Sequence, residues 1–196
     1  MDLNYSTRNI FPVPIHIFDV NGFDGVKNEL IDYAYNLKKE DEGVSISNYG
    51  GWQSSGFEIV NEDDVLHSFL INCLSDFPSL KKSIDMFVYG WINVNKPGDY
   101  NIKHTHPTSD LSGVLWVKAP ENCGNIFFDS PLAFQTHNEI ESYTDKFKES
   151  NNYDHSYYFT PTEGRILVFP SHLQHQVDEN TIGERITASF NLESNA

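Results

Sequence analysis

Three histidines and one arginine are the residues of this sequence whose types and order could support metal chemistry. His104 and His106 are two residues apart, His175 follows about 70 residues later, and Arg185 follows His175 by ten residues. Imidazole is a favoured ligand of iron, and three protein ligands on one face of the ion leave positions for a co-substrate and oxygen. The order therefore predicts a mononuclear iron site, with a cation nearby that could hold a dicarboxylic co-substrate.

The first two histidines lie in a segment that reads as a β-strand. Residues i and i+2 of a strand point the same way and are about 6–7 Å apart at the backbone, so both imidazoles could reach one ion. The alternative is a pair of exposed histidines at a strand end. For the third ligand His172 competes with His175, which we prefer because a β-pattern resumes at Gln176. The remaining histidines are interpreted as structural or surface residues: His16, His67, His137 and His155.

Arg185 opens the last strand pattern of the chain. A buried arginine can make a paired, charge-assisted contact with a carboxylate. Thr187 and Ser189 share its strand face, and their hydroxyl groups could support the same carboxylate. The alternative is an ordinary surface salt bridge to one of the 28 acidic residues.

The sequence predicts both helices and strands to position these residues. Apolar residues at helical spacing predict a helix after residue 24, with Asp24 as its N-cap, and a second helix spans roughly residues 62–76. An entry strand over residues 9–18 precedes both. Strand patterns then cover residues 84–94, 113–117, 125–129, 165–170 and 185–191. Two helices before closely spaced strands indicate an α+β fold with a β-sandwich or barrel core.

A polar insertion with scattered aromatic residues runs over residues 131–157. A connection this long inside a compact domain is usually functional or disordered, so we interpret it as a substrate cap or lid. We expect one domain over residues 1–196, with the entry strand and helices in residues 1–80 and the β-core in residues 81–196.

The composition argues against several classes of partner. The net charge of −15 lacks the basic footprint of nucleic-acid binding. No apolar stretch approaches the roughly 20 residues that span a bilayer, and no targeting signal is visible. Cys73 and Cys123 lie far apart in no metal-binding spacing, and we expect both to be small buried residues. These features predict a soluble, cytoplasmic protein with neither nucleic-acid nor membrane partners; the oligomeric state stays open, a homodimer included.

Several segments together resemble a known family. They are residues 98–100, 104–107, 111–117, 124–129, 163–171 and 184–191, with His175 between the last two, and residues 11–14 and 48–53 nearer the start. In order and spacing they resemble the iron(II)/2-oxoglutarate-dependent oxygenases, in particular a group from marine phages and bacteria that is related to prolyl hydroxylases. The resemblance implies a double-stranded β-helix (jelly-roll) core flanked by N-terminal helices, in the host cytoplasm if the protein is phage-encoded.

The resemblance also implies roles for the site residues. It places iron on His104, on the residue two positions later and on His175, and the distal carboxylate of 2-oxoglutarate on Arg185. The usual second ligand of this superfamily is aspartate or glutamate, whereas this chain has His106. Either three histidines hold the iron, which we favour, or a carboxylate such as Asp110 or Asp129 comes in from elsewhere. Further residues are expected to line the pocket: Trp116, Asn93 and Asn191.

The resulting hypothesis is an iron(II)- and 2-oxoglutarate-dependent dioxygenase that hydroxylates a C–H bond of a peptidyl side chain or a small metabolite. A second hypothesis is a cupin-like three-histidine dioxygenase without 2-oxoglutarate, which His106 favours and Arg185 argues against. A third is a non-enzymatic jelly-roll module in which the histidines are incidental.

Overall fold

The computed structural model describes residues 12–59, 64–74, 86–132, 140–151 and 153–194. Its first part contains β1 (His16–Asp19), α1 (Asp24–Glu40), β2 (Asn48–Tyr49), β3 (Trp52–Gln53), β4 (Phe57–Glu58) and α2 (Val65–Leu74). Then follow β5 (Met86–Asn95), β6 (Tyr100–His104), β7 (Leu111–Lys118) and β8 (Ile126–Asp129). After a 3-10 turn (Ile140–Ser142) come α3 (Asp145–Asn151), β9 (Ser156–Phe159), β10 (Arg165–Pro170), β11 (His175–Val177) and β12 (Arg185–Ser194).

Two antiparallel sheets form the core. The larger has the order β1-β10-β7-β12-β5-β3, with β4 also paired to β5, and the smaller has the order β2-β6-β11-β8-β9. Helices α1 and α2 precede the long strands β5, β7 and β12, so the predicted α+β class is confirmed.

The larger sheet is buried on both faces because its central strands carry different side chains on alternate positions. On β12 the residues that face the helices are all apolar: Ile186, Ala188 and Phe190. They pack with Leu30 and Ala34 of α1 and with Leu66 and Leu70 of α2. The alternate residues of the same strand, Arg185, Thr187 and Ser189, therefore point between the two sheets.

A second apolar cluster fills part of the space between the sheets. Its buried members are Val114, Trp116, Ile126, Phe128, Leu167, Phe169 and Leu173. Val114 and Trp116 come from β7, whose other face, including Leu115 and Val117, belongs to the helix-side cluster. This cluster forms the apolar floor beside which the polar side chains of β12 lie.

Several sequence-based boundaries differ from the structure. The entry strand is four residues long, at the sheet edge beside β10, and residues 9–11 of the predicted strand lie outside the described residues. The prediction of Asp24 as an N-cap is wrong: Asp24 is the first helical residue, and the N-cap is Phe23, which makes no side-chain capping bond. Phe23 is buried and its ring packs edge-on against that of Phe69 at 5.7 Å. An apolar anchor thus sets where this helix begins, and Asp24 faces the positive end of the helix dipole.

The second helix begins after a capping residue that sequence analysis did not identify. Asp64 Oδ1 accepts hydrogen bonds from the backbone N–H groups of Leu66 (2.9 Å) and His67 (3.3 Å). The helix ends at Leu74 within the predicted range of 62–76, whose outer residues lie outside the described part of the chain.

The described part of the 131–157 insertion contains the 3-10 turn and α3, but its last two residues belong to β9, which pairs with β8 and was not predicted. Three aromatic rings pack together there, with centroids of Tyr143 and Phe147 5.2 Å apart and those of Phe147 and Tyr153 5.6 Å apart. Residues 133–139, including His137, lie outside the described residues. The role of the segment as a substrate cap stays a prediction.

Close packing between β7 and β12 predicts a sensitive position at Gly113. A Cβ added there would lie 2.2 Å from Phe190 Cζ, a contact that only a shift of the fully buried ring can relieve. We expect Gly113→Ala to lower the free energy of unfolding by about 1–3 kcal/mol in chemical denaturation. Gly25→Ala in α1 is the matched control, because a Cβ there meets nothing within 4 Å and alanine favours helix. Equal stability of the two variants would contradict this packing argument.

Candidate metal centre and carboxylate site

The structure brings His104, His106 and His175 together. One ring nitrogen from each can be chosen so that all three lie within 4.8 Å of one another. Ring centroids are 4.3 Å apart for His104 and His175, 5.0 Å for His104 and His106, and 5.2 Å for His106 and His175. Such a cluster of imidazoles can contact one transition-metal ion.

Strand pairing explains the positions of two of these histidines. His104 is the last residue of β6 and His175 is the first residue of β11, and the two residues are direct partners in the antiparallel register. Side chains of directly opposed residues lie on the same face of a sheet. The long sequence separation between them is thus closed by one pair of neighbouring strands.

His106 is positioned by a backbone hydrogen bond outside the strand, and not by the strand that contains His104. His106 lies beyond the end of β6, so the prediction that it shares a strand with His104 is wrong. Its backbone N–H donates to the carbonyl of Ser171 (2.9 Å), and the N–H of Ser171 donates to the carbonyl of Asp110 (3.2 Å). Two backbone hydrogen bonds therefore attach the segment after β6 to the segment that leads into β11.

Backbone carbonyls orient two of the rings. His104 Nδ1 lies 2.7 Å from the carbonyl oxygen of Ile102, and His175 Nδ1 lies 2.9 Å from that of Leu173. Because a carbonyl only accepts hydrogen bonds, each Nδ1 carries the proton and donates it. The Nε2 lone pair of each ring is left for a metal, which is the usual arrangement of histidine ligands.

Burial keeps the cluster in the form that binds metal. It lowers the pKa of His175 to about 3 and that of His106 to about 4, and in both cases the neighbouring His104 adds to the effect. Burial also lowers the pKa of His104, although its bond to Ile102 works in the opposite direction. Neutral imidazoles bind metal without first releasing a proton.

The competing ligands are placed elsewhere. His172 is exposed, whereas Leu173 and His175, one and three residues later, are buried. Asp129 forms an ion pair with Lys103 (2.6 Å). The preceding Phe128 faces inward on β8, with its ring centroid 5.9 Å from that of His175. Among the residues that the structure describes, neither Asp110 nor any other carboxylate belongs to the candidate ligand group.

Arg185 is a buried cation without a carboxylate partner among the described ion pairs. Arg185 is 1% exposed. Nη1 donates to the carbonyl oxygens of Cys123 (2.6 Å) and Gly124 (3.4 Å). Burial lowers the pKa of the guanidinium, but arginine stays charged in proteins. The surface salt bridge considered as an alternative is therefore not what the structure contains.

One cavity joins the histidines and the arginine. It is also lined by Thr187, Ser189, Trp116 and Asn93, all expected from the sequence. Asn191, the remaining candidate, instead accepts a hydrogen bond from the hydroxyl of Ser112 (2.8 Å). The cavity has further lining residues that were not expected from the sequence: Ser47, Trp91, Asn101, Ser112, Gly113, Val114, Phe169 and Val177. The period of two along β5 could have identified Trp91, whose ring centroid is 5.6 Å from that of His106.

Asn93 directs the hydroxyl groups beside Arg185. Its amide nitrogen donates to Ser189 Oγ (3.2 Å) and to Thr187 Oγ1 (3.4 Å). A hydroxyl that accepts a hydrogen bond on its oxygen keeps its own proton for another acceptor. The arginine and the two hydroxyls thus offer hydrogen-bond donors, which suits a carboxylate.

Comparison with known families places this site in context. Residues 89–191 match the model of a family described as "Putative 2OG-Fe(II) oxygenase", a span that contains all three histidines and Arg185. No curated protein sequence matches the chain.

Solved structures with the same fold are distant in sequence. A Pseudomonas putida prolyl-4-hydroxylase is 13% identical with a TM-score of 0.65, and the match covers 94% of each chain. The viral collagen prolyl hydroxylase of Paramecium Bursaria Chlorella virus-1, in complex with 2-oxoglutarate, is 16% identical with a TM-score of 0.54, covering 91% of this chain and 94% of that one. HygX from Streptomyces hygroscopicus, with nickel and 2-oxoglutarate bound, is 8% identical with a TM-score of 0.58, covering 92% and 82%. These similarities confirm the double-stranded β-helix fold. In the described part of the chain, no helix is both long and apolar enough to cross a membrane.

The histidine cluster predicts a specific loss on mutation. We expect His175→Ala to weaken iron(II) binding by at least about 100-fold. Loss of a hydrogen bond that supports a ligand already costs about 10- to 100-fold in metal affinity, and loss of the ligand itself should cost more. Anaerobic competition with a chromogenic chelator measures this affinity. His172→Ala is the control, and its affinity should equal that of the unmodified protein. If His172→Ala lost iron affinity and His175→Ala kept it, His172 would be the ligand instead of His175.

The lowered histidine pKa values predict a pH dependence for the metal-free protein. The unfolded chain binds protons at His106 and His175 near pH 6.5, whereas the folded protein does so only near pH 4 and 3. Stability should therefore fall as pH drops from about 6.5 towards 4. Urea denaturation at several pH values tests this. His175→Gln should show a shallower decline, and an unchanged slope would argue against a buried neutral imidazole.

Proposed function

This chain belongs to the 2OG-Fe(II) oxygenase family, and we propose that it hydroxylates a C–H bond by using iron(II) and 2-oxoglutarate held in the cavity between its two sheets. The single observation that supports this most is that one cavity contains both a three-histidine cluster and a buried arginine that pairs with no acid among the described residues. When bound, iron and 2-oxoglutarate supply the oxidising chemistry, in which dioxygen is consumed and succinate and carbon dioxide are released.

The proposed metal ligands are His104, His106 and His175. Their donor set fits a divalent transition metal because the rings are neutral. In His104 and His175 the hydrogen bond from Nδ1 to a backbone carbonyl leaves Nε2 free to bind the metal. Three protein ligands leave coordination positions for small molecules. Trp91, Phe128 and Phe169 surround the rings and limit the access of water to them.

The proposed partner of the distal carboxylate of 2-oxoglutarate is Arg185, supported by the hydroxyls of Thr187 and Ser189. Asn93 orients these hydroxyls, and the buried Trp116 forms an adjoining wall. A planar guanidinium can make two parallel hydrogen bonds to a carboxylate, which fixes the ligand's direction as well as its position. The other end of the ligand would then point along the cavity towards the histidines.

The proposed substrate is a peptidyl side chain or a small metabolite. Two of the similar structures are prolyl hydroxylases, which supports a peptidyl substrate. We further propose that the segment over residues 131–157 covers the bound substrate. We also propose that residues 1–196 act as one domain.

Arg185 provides the test of this function. A desolvated arginine–carboxylate pair should make Arg185→Ala bind 2-oxoglutarate about 30- to 1000-fold more weakly. Arg185→Lys should recover only part of the loss, because an ammonium group lacks the planar fork. The measurement is an anaerobic titration of the iron(II) protein that follows metal-to-ligand charge-transfer absorbance.

Two controls make this titration specific. Iron affinity should persist in both variants, because Arg185 is not a ligand. Arg165→Ala should leave 2-oxoglutarate affinity unchanged, since Arg165 does not line the cavity and pairs with the exposed Asp19 (2.7 Å) of the edge strand β1. Unchanged affinity in Arg185→Ala would remove the carboxylate assignment. The absence of any absorbance change in the unmodified protein would favour a three-histidine dioxygenase without 2-oxoglutarate.

A further inference from the structure

The cavity contains no negative charge among the described residues that line it, although the chain has 28 acidic residues. Of these lining residues, only Arg185 carries a formal charge, apart from histidines that must be neutral to bind metal. Asp129, which follows the inward-facing Phe128, lies on the outer side of β8 and pairs with Lys103. The lining of the free cavity therefore has a formal charge of about +1, because Asp99 and Asp178, which interact electrostatically with Arg185, are not among the lining residues.

A divalent metal adds to this positive charge. Three neutral imidazoles leave the full charge of the ion uncompensated, whereas an aspartate or glutamate at position 106 would have cancelled one unit of it. With Arg185, the cavity would hold a formal charge of +3 when loaded with metal alone. In a buried site such a charge is poorly screened by solvent, so metal binding is opposed by the arginine.

A dicarboxylate removes most of this excess, because it brings two negative charges into the same cavity. The formal charge then falls from +3 to +1. With an acidic residue at position 106 the same ligand would change the charge from +2 to zero, and the metal would already have been partly neutralised before the ligand arrived. The dependence of metal binding on the dicarboxylate is thus greater in the three-histidine site.

We infer that His106 makes the binding of metal and of the dicarboxylate co-substrate strongly cooperative, so that the metal is held tightly only when the dianion is present. This inference rests on the proposed function, because it takes 2-oxoglutarate as the dianion. Cooperativity between two ligands is reciprocal, so the metal must raise the affinity for 2-oxoglutarate by the same factor.

Two pairs of substitutions at position 106, each with an acidic and a neutral member of the same shape, separate the effect of charge from that of shape. His106→Glu and His106→Gln place the same carbon framework and an oxygen donor at this site, with and without a negative charge. His106→Asp and His106→Asn form a second, shorter pair. Manganese(II) affinity is measured by competition with a fluorescent chelator under anaerobic conditions, with and without saturating 2-oxoglutarate, and the ratio of the two dissociation constants gives the coupling factor.

We expect the coupling factor of the unmodified protein and of the neutral variants to exceed that of the matching acidic variants by about tenfold or more. The acidic variants should also bind manganese(II) alone more tightly than their neutral counterparts. Equal coupling factors within both pairs would overturn the inference while leaving the proposed function intact. Loss of metal binding by both acidic variants would also overturn it, since an added anion should attract the ion. If 2-oxoglutarate does not bind the metal-loaded unmodified protein, the proposed function itself fails.

Discussion

The central constraint in this structure is the two-faced environment of β12. Alternate side chains of a strand must point to opposite sides, so one strand can hold Ile186, Ala188 and Phe190 in the core beneath the helices and still present Arg185, Thr187 and Ser189 to the space between the sheets. A register error of one residue would place the guanidinium in the apolar core. The cost of burying an unpaired charge there makes this register strongly specified.

The cluster of three histidines is positioned mainly by backbone contacts. The direct pairing of His104 with His175 joins β6 to β11, and the hydrogen bond from His106 to Ser171 attaches the following segment to the same place. Carbonyl groups of Ile102 and Leu173 then set the orientation of two rings. Because these contacts involve the main chain, the site is preorganised without acidic side chains that would orient the imidazoles. This is how the cavity can remain free of carboxylates among its described lining residues.

The distribution of charge follows from the same arrangement. The chain has a net charge of −15, yet the described wall of its cavity carries only a positive charge. Acids on the outer surface are hydrated by solvent, whereas an acid inside would compete with a carboxylate ligand for Arg185. Global charge and local charge therefore have separate physical roles, and the global value alone would have suggested repulsion of anions.

The sequence by itself determined the α+β class, the positions of the longer strands along the chain and the candidate residues of the site. Hydrophobic alternation is a local signal, and the shared face of residues 185, 187 and 189 follows from it directly. The tertiary structure decided what local patterns do not encode. It selected His175 over the exposed His172, turned Asp129 towards Lys103, and placed His106 beyond its strand through a backbone bond to Ser171. It also began α1 at a buried aromatic residue, Phe23, where capping chemistry had favoured Asp24. In each case the outcome depended on contacts between residues far apart in the chain, where packing and hydrogen-bond satisfaction outweigh local preference.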